Sequence, residues 1–169
     1  MGRISVAMAT YNGSKYIISQ MDSIRLQTST PDEVIICDDC STDETYEMIR
    51  DYIQLHGLTG WKLIKNSQNL GYIDNFHSCI LQTTGDYIFM SDQDDIWMKD
   101  KIEIMARLMD ENESIHVLSC ADLPIDEQDD IKNMKSNHSN HIEKYGFNKT
   151  FKTTPCIWKG CTTAFTKDI

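Results

Sequence analysis

Three carboxylates lie within a stretch of four residues, shortly after an apolar run in the sequence. Asp92, Asp94 and Asp95 follow residues 87–90, whose aromatic and aliphatic character is typical of a buried strand. Carboxylates crowded at one turn repel one another unless a cation neutralises them. Hard divalent cations such as Mg²⁺ and Mn²⁺ prefer oxygen ligands. The stretch therefore predicts a metal site at a strand end, and the alternative is an ordinary acidic loop in an acidic protein.

Two further polar turns follow short apolar runs, at residues 4–9 and 33–37. Strand and helix patterns alternate as far as residue 120, which predicts an α/β fold with a mainly parallel, Rossmann-like sheet and helices on both faces. Ligands of such sheets bind beyond the carboxyl ends of the strands, so the polar turns should meet at one edge. An ordinary acidic loop does not predict that coincidence. The residues expected at this edge are Thr10, Tyr11, Asn12, Asp38, Asp39, Asp92 and Asp94.

The spacing of apolar residues predicts the strands and helices that position these turns. Apolar runs bounded by polar residues predict strands, and apolar residues at helical spacing predict helices. The predicted strands span 4–9, 33–37, 61–65, 87–90 and 115–120, and the predicted helices span 15–27, 44–55, 72–82 and 99–110. The acidic and polar stretch 121–144 shows no apolar period, and we expect it to be a mobile excursion. Strand-like character returns at residues 155–165.

The composition is that of one soluble domain spanning residues 1–169, with 40% hydrophobic and 25% charged residues. A net charge of −10 argues against nucleic acid as a partner, because phosphate backbones are bound by clustered Lys and Arg. No apolar run approaches the ~20 residues of a membrane span. The first residues enter a strand pattern without a signal-peptide pattern, so we expect a cytoplasmic protein.

Cysteines and histidines offer an alternative metal site, which the spacing does not favour. Six cysteines are present, and several lie within apolar runs where reduced thiols are common. Zinc at Cys37 and Cys40 would need a second pair nearby, and Cys156 and Cys161 have the wrong spacing. His138 and His141 could be ligands by residue type, but solvated loop histidines are the better interpretation.

Four stretches together resemble the family 2 glycosyltransferases, which have the GT-A fold. In this family's order and spacing the chain carries SVAMATYN, IICDDCSTD, NLG and GDYIFMSDQDDIW, the last being similar to bacterial enzymes that build surface polysaccharides. The resemblance covers residues 3–120 strongly and 156–166 weakly. It implies metal-assisted, inverting transfer of a sugar from a UDP or dTDP donor to a glycan or lipid-linked acceptor. It also implies peripheral membrane association of the full-length protein at the inner face of the plasma membrane.

The resemblance also implies a role for individual residues. Tyr11 would pack against the base, and Asp39 would accept a hydrogen bond from a pyrimidine N3–H. Asp94 would hold a Mn²⁺ or Mg²⁺ ion, and Asp92 would lie beside the ribose and the metal. The implied nucleotide-binding residues are Thr10, Tyr11, Asn12, Asp39, Asn69 and Asp92.

The catalytic base of this inverting family lies C-terminal to the region that residues 160–162 resemble. We therefore expect no catalytic residue within the chain, a base beyond Ile169, and a chain that is the N-terminal portion of a longer enzyme. Such a fragment would bind its donor and could lack transfer activity, and the alternative function is a nucleotide-sugar-binding module without catalysis.

Two other α/β classes fit less well. A sugar-1-phosphate nucleotidyltransferase would carry a Gly-rich, Arg-containing loop after the first strand, where residues 10–15 differ from that pattern. A phosphorylation-receiver domain would carry a lysine at the end of the fifth strand, and residues 119–122 contain none. Both comparisons favour the glycosyltransferase interpretation.

Overall fold

The computed structural model describes residues 2–120 and 162–167. The strands of this part are β1 (Ile4–Thr10), β2 (Glu33–Asp38), β3 (Trp61–Lys65), β4 (Tyr87–Ser91), β5 (Val117–Ser119) and β6 (Thr163–Thr166). The helices are α1 (Ile17–Arg25), α2 (Thr45–Leu55), α3 (Tyr72–Leu81) and α4 (Lys101–Asp110). The strands and helices predicted up to residue 120 are confirmed, with ends that differ by at most two residues. Of the predicted strand-like stretch 155–165, residues 155–161 lie outside the described part, and residues 163–165 belong to β6.

The six strands form one mixed sheet in the order β3-β2-β1-β4-β6-β5. β1 pairs in parallel with β2 and with β4, and β3 extends the parallel part beyond β2. β6 is antiparallel to both β4 and β5. The prediction of a mainly parallel sheet is therefore confirmed, with an antiparallel edge of the kind that α/β folds often carry.

Helices cover both faces of the sheet, as predicted. One face packs against α1, α2 and α4 in a cluster that includes the fully buried Ile17, Met21 and Ile24. Their i, i+4, i+7 spacing places them on one stripe of α1. Burying each such side chain contributes ~1.5–3 kcal/mol. The opposite face packs against α3, where Cys79 contacts a second cluster that includes Ala7 and Ile35.

Helices α1 and α4 each lack two or more residues of their predicted spans, and the residues at their junction bind loop backbone instead. α1 ends at Arg25, and the side chain of Gln27 donates to the carbonyls of Ser23 (2.9 Å) and Met98 (2.8 Å). The main-chain N–H of Thr28 donates to the carbonyl of Lys99, so the residues before α4 lie against the end of α1. These contacts fix the course of the chain that leaves the acidic turn.

Several predictions fall outside the described residues, namely the excursion at 121–144, His138, His141, Cys156 and Cys161. Within the described part, Cys37, Cys40 and Cys79 are free thiols. No helix within residues 2–120 or 162–167 has the length and apolar character needed to cross a bilayer.

Candidate functional site

The carboxyl ends of β2, β1 and β4 lie side by side at one edge of the sheet. In the parallel register Thr10 is opposite Asp38, and Met8 is opposite Ser91. The turns that follow these strands are therefore neighbours, with the turn after β1 in the middle. The prediction that the three polar turns share one edge is confirmed.

Asp38 organises the turn that follows β2. Its buried carboxylate accepts hydrogen bonds from the hydroxyl of Thr10 (3.3 Å) and from the main-chain N–H of Ser41 (3.0 Å), and the Ser41 hydroxyl donates to it as well. The Thr10 side chain, predicted to bind nucleotide, is only 1% exposed and contacts this carboxylate. Thr10 and Asp38 thus shape the turn from the inside.

Asp39 is the next residue along the chain, and it binds the loop between β3 and α3. Its Oδ1 accepts from the main-chain N–H of Leu70 and the side chain of Asn66, each at 2.8 Å, and its Oδ2 accepts from the N–H of Gly71 at 2.9 Å. The Asn69 side chain donates to the Asp39 carbonyl at 3.1 Å. Since each carboxylate oxygen has two lone pairs, these three bonds leave one on Oδ2.

Two residues of these turns adopt positive φ although they are not glycine. Asn12 has φ of 50° and Cys40 has φ of 60°. The Asn12 side chain accepts from the N–H of Thr42 at 2.8 Å, and its own N–H donates to the Ser41 hydroxyl at 3.0 Å. Sparsely populated backbone conformations persist where the surroundings fix them, and they cluster at functional sites. The turns after β1 and β2 are therefore held together as one unit.

The acidic turn after β4 is attached to the turn after β1 by Gln93. The carboxamide oxygen of Gln93 accepts from the main-chain N–H of Tyr11 at 2.8 Å, and its nitrogen donates to the Tyr11 carbonyl at 2.9 Å. The Tyr11 side chain is 46% exposed, so it remains available to a ligand. The residue pattern of the sequence did not indicate a role for Gln93.

The carboxylates of the acidic turn differ in their surroundings. Asp92 is half-buried and Asp94 is exposed. Burial raises the pKa of Asp92 to about 6, with further contributions from the charges of Asp95 and Asp94. Negative charge is thus concentrated around Asp92, where burial disfavours the charged form of the carboxyl group. A cation at this turn would relieve both effects.

Within the described residues, no group of three or more His, Cys, Asp or Glu side chains is placed to hold a metal ion on its own. Mg²⁺ in proteins usually binds one or two carboxylates together with water and substrate phosphates. Asp92 and Asp94 carry carboxylate oxygens, which are the type of ligand that this ion prefers. The residues present therefore fit an ion that a bound diphosphate helps to hold.

Two polar residues of α1, Gln20 and Ser23, support the acidic turn, and this contact was not predicted from the sequence. The Gln20 carboxamide is fully buried, and its orientation follows from the hydrogen bonds that it can form. Its oxygen accepts from Trp97 Nε1 (3.3 Å) and from the Ser91 hydroxyl (2.6 Å). Its nitrogen donates to Ser23 Oγ (2.9 Å) and to the Asp95 carbonyl. The Ser23 hydroxyl also accepts from the N–H of Trp97. Gln20 lies three residues after Ile17, on the apolar stripe of α1. A polar residue at such a position is the feature of the sequence that could have indicated buried hydrogen-bond partners.

Asp43 joins the turn after β1 to the start of α2. Its carboxylate accepts from the main-chain N–H groups of Ser14 (3.1 Å) and Thr45 (3.0 Å) and from the Thr45 hydroxyl. Burial by itself would raise the pKa of Asp43, but the bonds from Thr45 and Ser14 outweigh it and lower the pKa to about 2. The carboxylate is therefore ionised at neutral pH.

Residues 5–169 match the family described as Glycosyl transferase family 2. Over 116 residues the chain is 33% identical to the poly(ribitol-phosphate) beta-N-acetylglucosaminyltransferase TarS of Staphylococcus aureus (strain Mu50), covering 68% of this chain and 20% of TarS. Over 100 residues it is 38% identical to the dTDP-rhamnosyl transferase RfbG of Shigella flexneri, covering 57% of this chain and 34% of RfbG. The chain thus spans less than half the length of these curated relatives.

Solved structures show the same fold. TarS 1–349 of S. aureus in complex with UDP superposes with a TM-score of 0.62 at 30% identity, covering 69% of this chain and 34% of that chain. A mannosyltransferase from Pyrobaculum calidifontis, solved with GDP-Man and Mn²⁺, superposes with a TM-score of 0.66 at 23% identity, covering 71% and 35%. The second likeness supports the fold alone, and together they confirm the predicted GT-A architecture.

Proposed function

The chain belongs to glycosyl transferase family 2, and on that premise we propose that its sheet edge binds a UDP- or dTDP-sugar. The full-length protein transfers the sugar, with inversion, to a glycan or lipid-linked acceptor during surface polysaccharide synthesis. We place this reaction in the cytoplasm, at the inner face of the plasma membrane when the acceptor is lipid-linked.

The observation that carries this proposal is the order of the turns across the end of β1. Asp39 follows β2, Tyr11 follows β1, and the acidic turn follows β4, which pairs with β1 on its other side. Neighbouring strands lie ~4.8 Å apart, so the outer two ends are about 10 Å apart. A nucleotide can therefore lie across the end of β1, with its base near Asp39 and its phosphates near Asp94.

The residues then have distinct tasks. The exposed Tyr11 ring packs on the base, and the remaining lone pair of Asp39 Oδ2 accepts from a pyrimidine N3–H. Asn69 lies beside them, since its side chain already binds the Asp39 carbonyl. TarS was solved with UDP and RfbG is named for a dTDP donor, and both names support a pyrimidine nucleotide.

Asp94 and Asp92 would hold a divalent cation together with the diphosphate. When bound, this ion neutralises the phosphates and stabilises the charge that develops on the leaving group. Asp92 lies beside the ribose in this arrangement. Gln20 and Ser23 hold the backbone that presents these carboxylates, because they bind residues on both sides of the acidic turn.

The transfer step exchanges one bond for another at the anomeric carbon of the sugar. The acceptor hydroxyl oxygen bonds to this carbon while the bond from the carbon to the diphosphate oxygen breaks. The nucleoside diphosphate leaves with the electron pair, and a carboxylate base takes the hydroxyl proton. We place that base outside residues 2–120 and 162–167.

A thermal-shift screen tests the donor class directly. The protein is heated with UDP, dTDP, ADP or GDP, each with Mn²⁺ and with a chelator. A ligand at 100 times its Kd stabilises the native state by ~2.7 kcal/mol, so UDP and dTDP with Mn²⁺ should raise the Tm most. Equal shifts with all four nucleotides, or none with any of them, would refute the proposal.

A further inference from the structure

The side chain of Gln93 joins two turns that are 82 residues apart in sequence. Its carboxamide forms both a donor and an acceptor bond with the main chain of Tyr11, in the manner of a bridge between strands. Gln93 lies between Asp92 and Asp94 in the acidic turn. The backbone that presents the carboxylates is therefore attached directly to the backbone that presents the Tyr11 ring.

Gly13 provides the space that this bridge requires. A Cβ at Gly13 would collide with Oε1, Cδ and Cγ of Gln93. Gly13 does not adopt a positive φ, so a larger residue here would be opposed only by the Gln93 side chain, which would have to move away. The N–H of Gly13 donates to Thr45 Oγ1 at 2.8 Å, which anchors this turn on α2. The turn is thus held on one side by α2 and on the other by Gln93.

We infer that Gln93 is a positioning residue that couples the phosphate end of the nucleotide site to the base end. The inference rests on the proposed function. An ion and diphosphate that order the acidic turn would, through the two bonds of Gln93, also order the Tyr11 turn. Nucleotide binding then gains from pre-organisation at both ends. Allosteric coupling of this kind is typically worth 5–150-fold in affinity.

The test measures the Kd of UDP in a chelator and in Mn²⁺ by calorimetry, and divides the first value by the second. Gln93→Ala should reduce this ratio about fivefold, at the low end of typical coupling. Gly13→Ala should reduce it similarly, and the double variant should show no further loss because both changes break one bridge. Gln54→Ala removes an exposed glutamine on α2 and should leave the ratio unchanged.

Amide hydrogen exchange at Tyr11 adds a readout that needs no ligand. The Tyr11 N–H should exchange faster in Gln93→Ala and in Gly13→Ala than in the wild type, because its acceptor is lost or displaced. Gln93→Glu retains an acceptor for this N–H but places a carboxylate against the Tyr11 carbonyl. This variant should keep the protection in part and give an intermediate ratio.

The outcomes separate the inference from the proposed function. If the wild type shows Mn²⁺-dependent UDP binding and folded Gln93→Ala keeps the wild-type ratio, the inference is wrong and the proposed function stands. If the wild type shows no Mn²⁺-dependent UDP binding, the proposed function is refuted and the inference with it. A general loss of stability without a change in the ratio would also refute a positioning role.

Discussion

The carboxylate of Asp39 accepts a hydrogen bond of 2.9 Å from the main-chain N–H of Gly71, which is 32 residues further along the chain. Gly71 has φ of 84° and immediately precedes α3. The same carboxylate accepts from the N–H of Leu70. Asp39 therefore connects the end of β2 to the start of α3. In the proposed site it has a second task, which is to recognise the base.

The Asp39→Asn variant should lose both stability and base preference. The new amide group faces main-chain N–H donors and leaves one of them unsatisfied, at a cost of ~1–3 kcal/mol in the free energy of unfolding. Urea denaturation measures this cost, and Asp51→Asn, at an exposed site, is the control with an expected change within ~0.5 kcal/mol. The preference for UDP over ADP should also disappear in calorimetry. Wild-type stability together with wild-type preference would contradict both roles.

Asp94→Asn should weaken Mn²⁺-dependent UDP binding by at least ~1.4 kcal/mol, or about tenfold. The reason is the loss of a charged oxygen ligand, so binding in the presence of a chelator should change little. Asp95→Asn should have a smaller effect. The exposed Asp100 lies just before α4, and Asp100→Asn is the matched control. Unchanged Mn²⁺-dependent affinity in Asp94→Asn would remove this residue from the metal site.

Gln20→Met keeps the length of a buried side chain and removes its hydrogen bonds. The indole N–H of Trp97 would lose its acceptor and the Asp95 carbonyl would lose a donor, which should lower the free energy of unfolding by ~1–3 kcal/mol per unsatisfied group. Mn²⁺-dependent UDP binding should weaken as well, because the acidic turn loses its support. Gln54→Met, at an exposed position of α2, should change neither quantity. Full stability in Gln20→Met would show that the carboxamide network contributes nothing.

The positions of the strand ends could be predicted because strand and helix patterns alternate in the sequence, and this alternation predicts parallel pairing. Apolar runs such as residues 4–9 define buried strands, and the chirality and pairing rules of α/β sheets then place their carboxyl ends together. The Gln93 bridge could not be predicted in this way. Its partner is the main chain of Tyr11, and a main-chain N–H or carbonyl cannot be recognised from the type of residue.

Gln20 lies between these cases. It occupies the apolar stripe of α1 beside Met21, and a buried polar residue at such a position must find hydrogen-bond partners. The sequence could therefore show that Gln20 has buried partners but not that they belong to the acidic turn. Likewise the residue type of Asp39 indicates an acceptor, whereas its bonds to Leu70 and Gly71 depend on the packing of a distant loop.

Asp43 should make stability depend on pH in the acid range. Its pKa in the folded protein is about 2, below the ordinary value of 3.8. The stabilisation is therefore fully present above about pH 4 and is lost as the pH falls towards 2. The Tm of the wild type should fall more steeply between pH 5 and pH 2 than the Tm of Asp43→Asn. Asp51→Asn is again the control, and parallel Tm profiles for wild type and Asp43→Asn would contradict the assignment.

The ligand proposed for this sheet edge is a pyrimidine nucleoside diphosphate together with a divalent cation. Isothermal calorimetry with UDP and ADP, each titrated in Mn²⁺ and in a chelator, tests this proposal most directly. We expect UDP to bind at least about tenfold more tightly in Mn²⁺ than in the chelator, equivalent to ~1.4 kcal/mol. ADP should bind more weakly than UDP by ~1.5–3 kcal/mol, because adenine has no ring N–H to donate to the charged Asp39 Oδ2. Equal affinities for UDP and ADP, or UDP affinity that ignores Mn²⁺, would contradict the account.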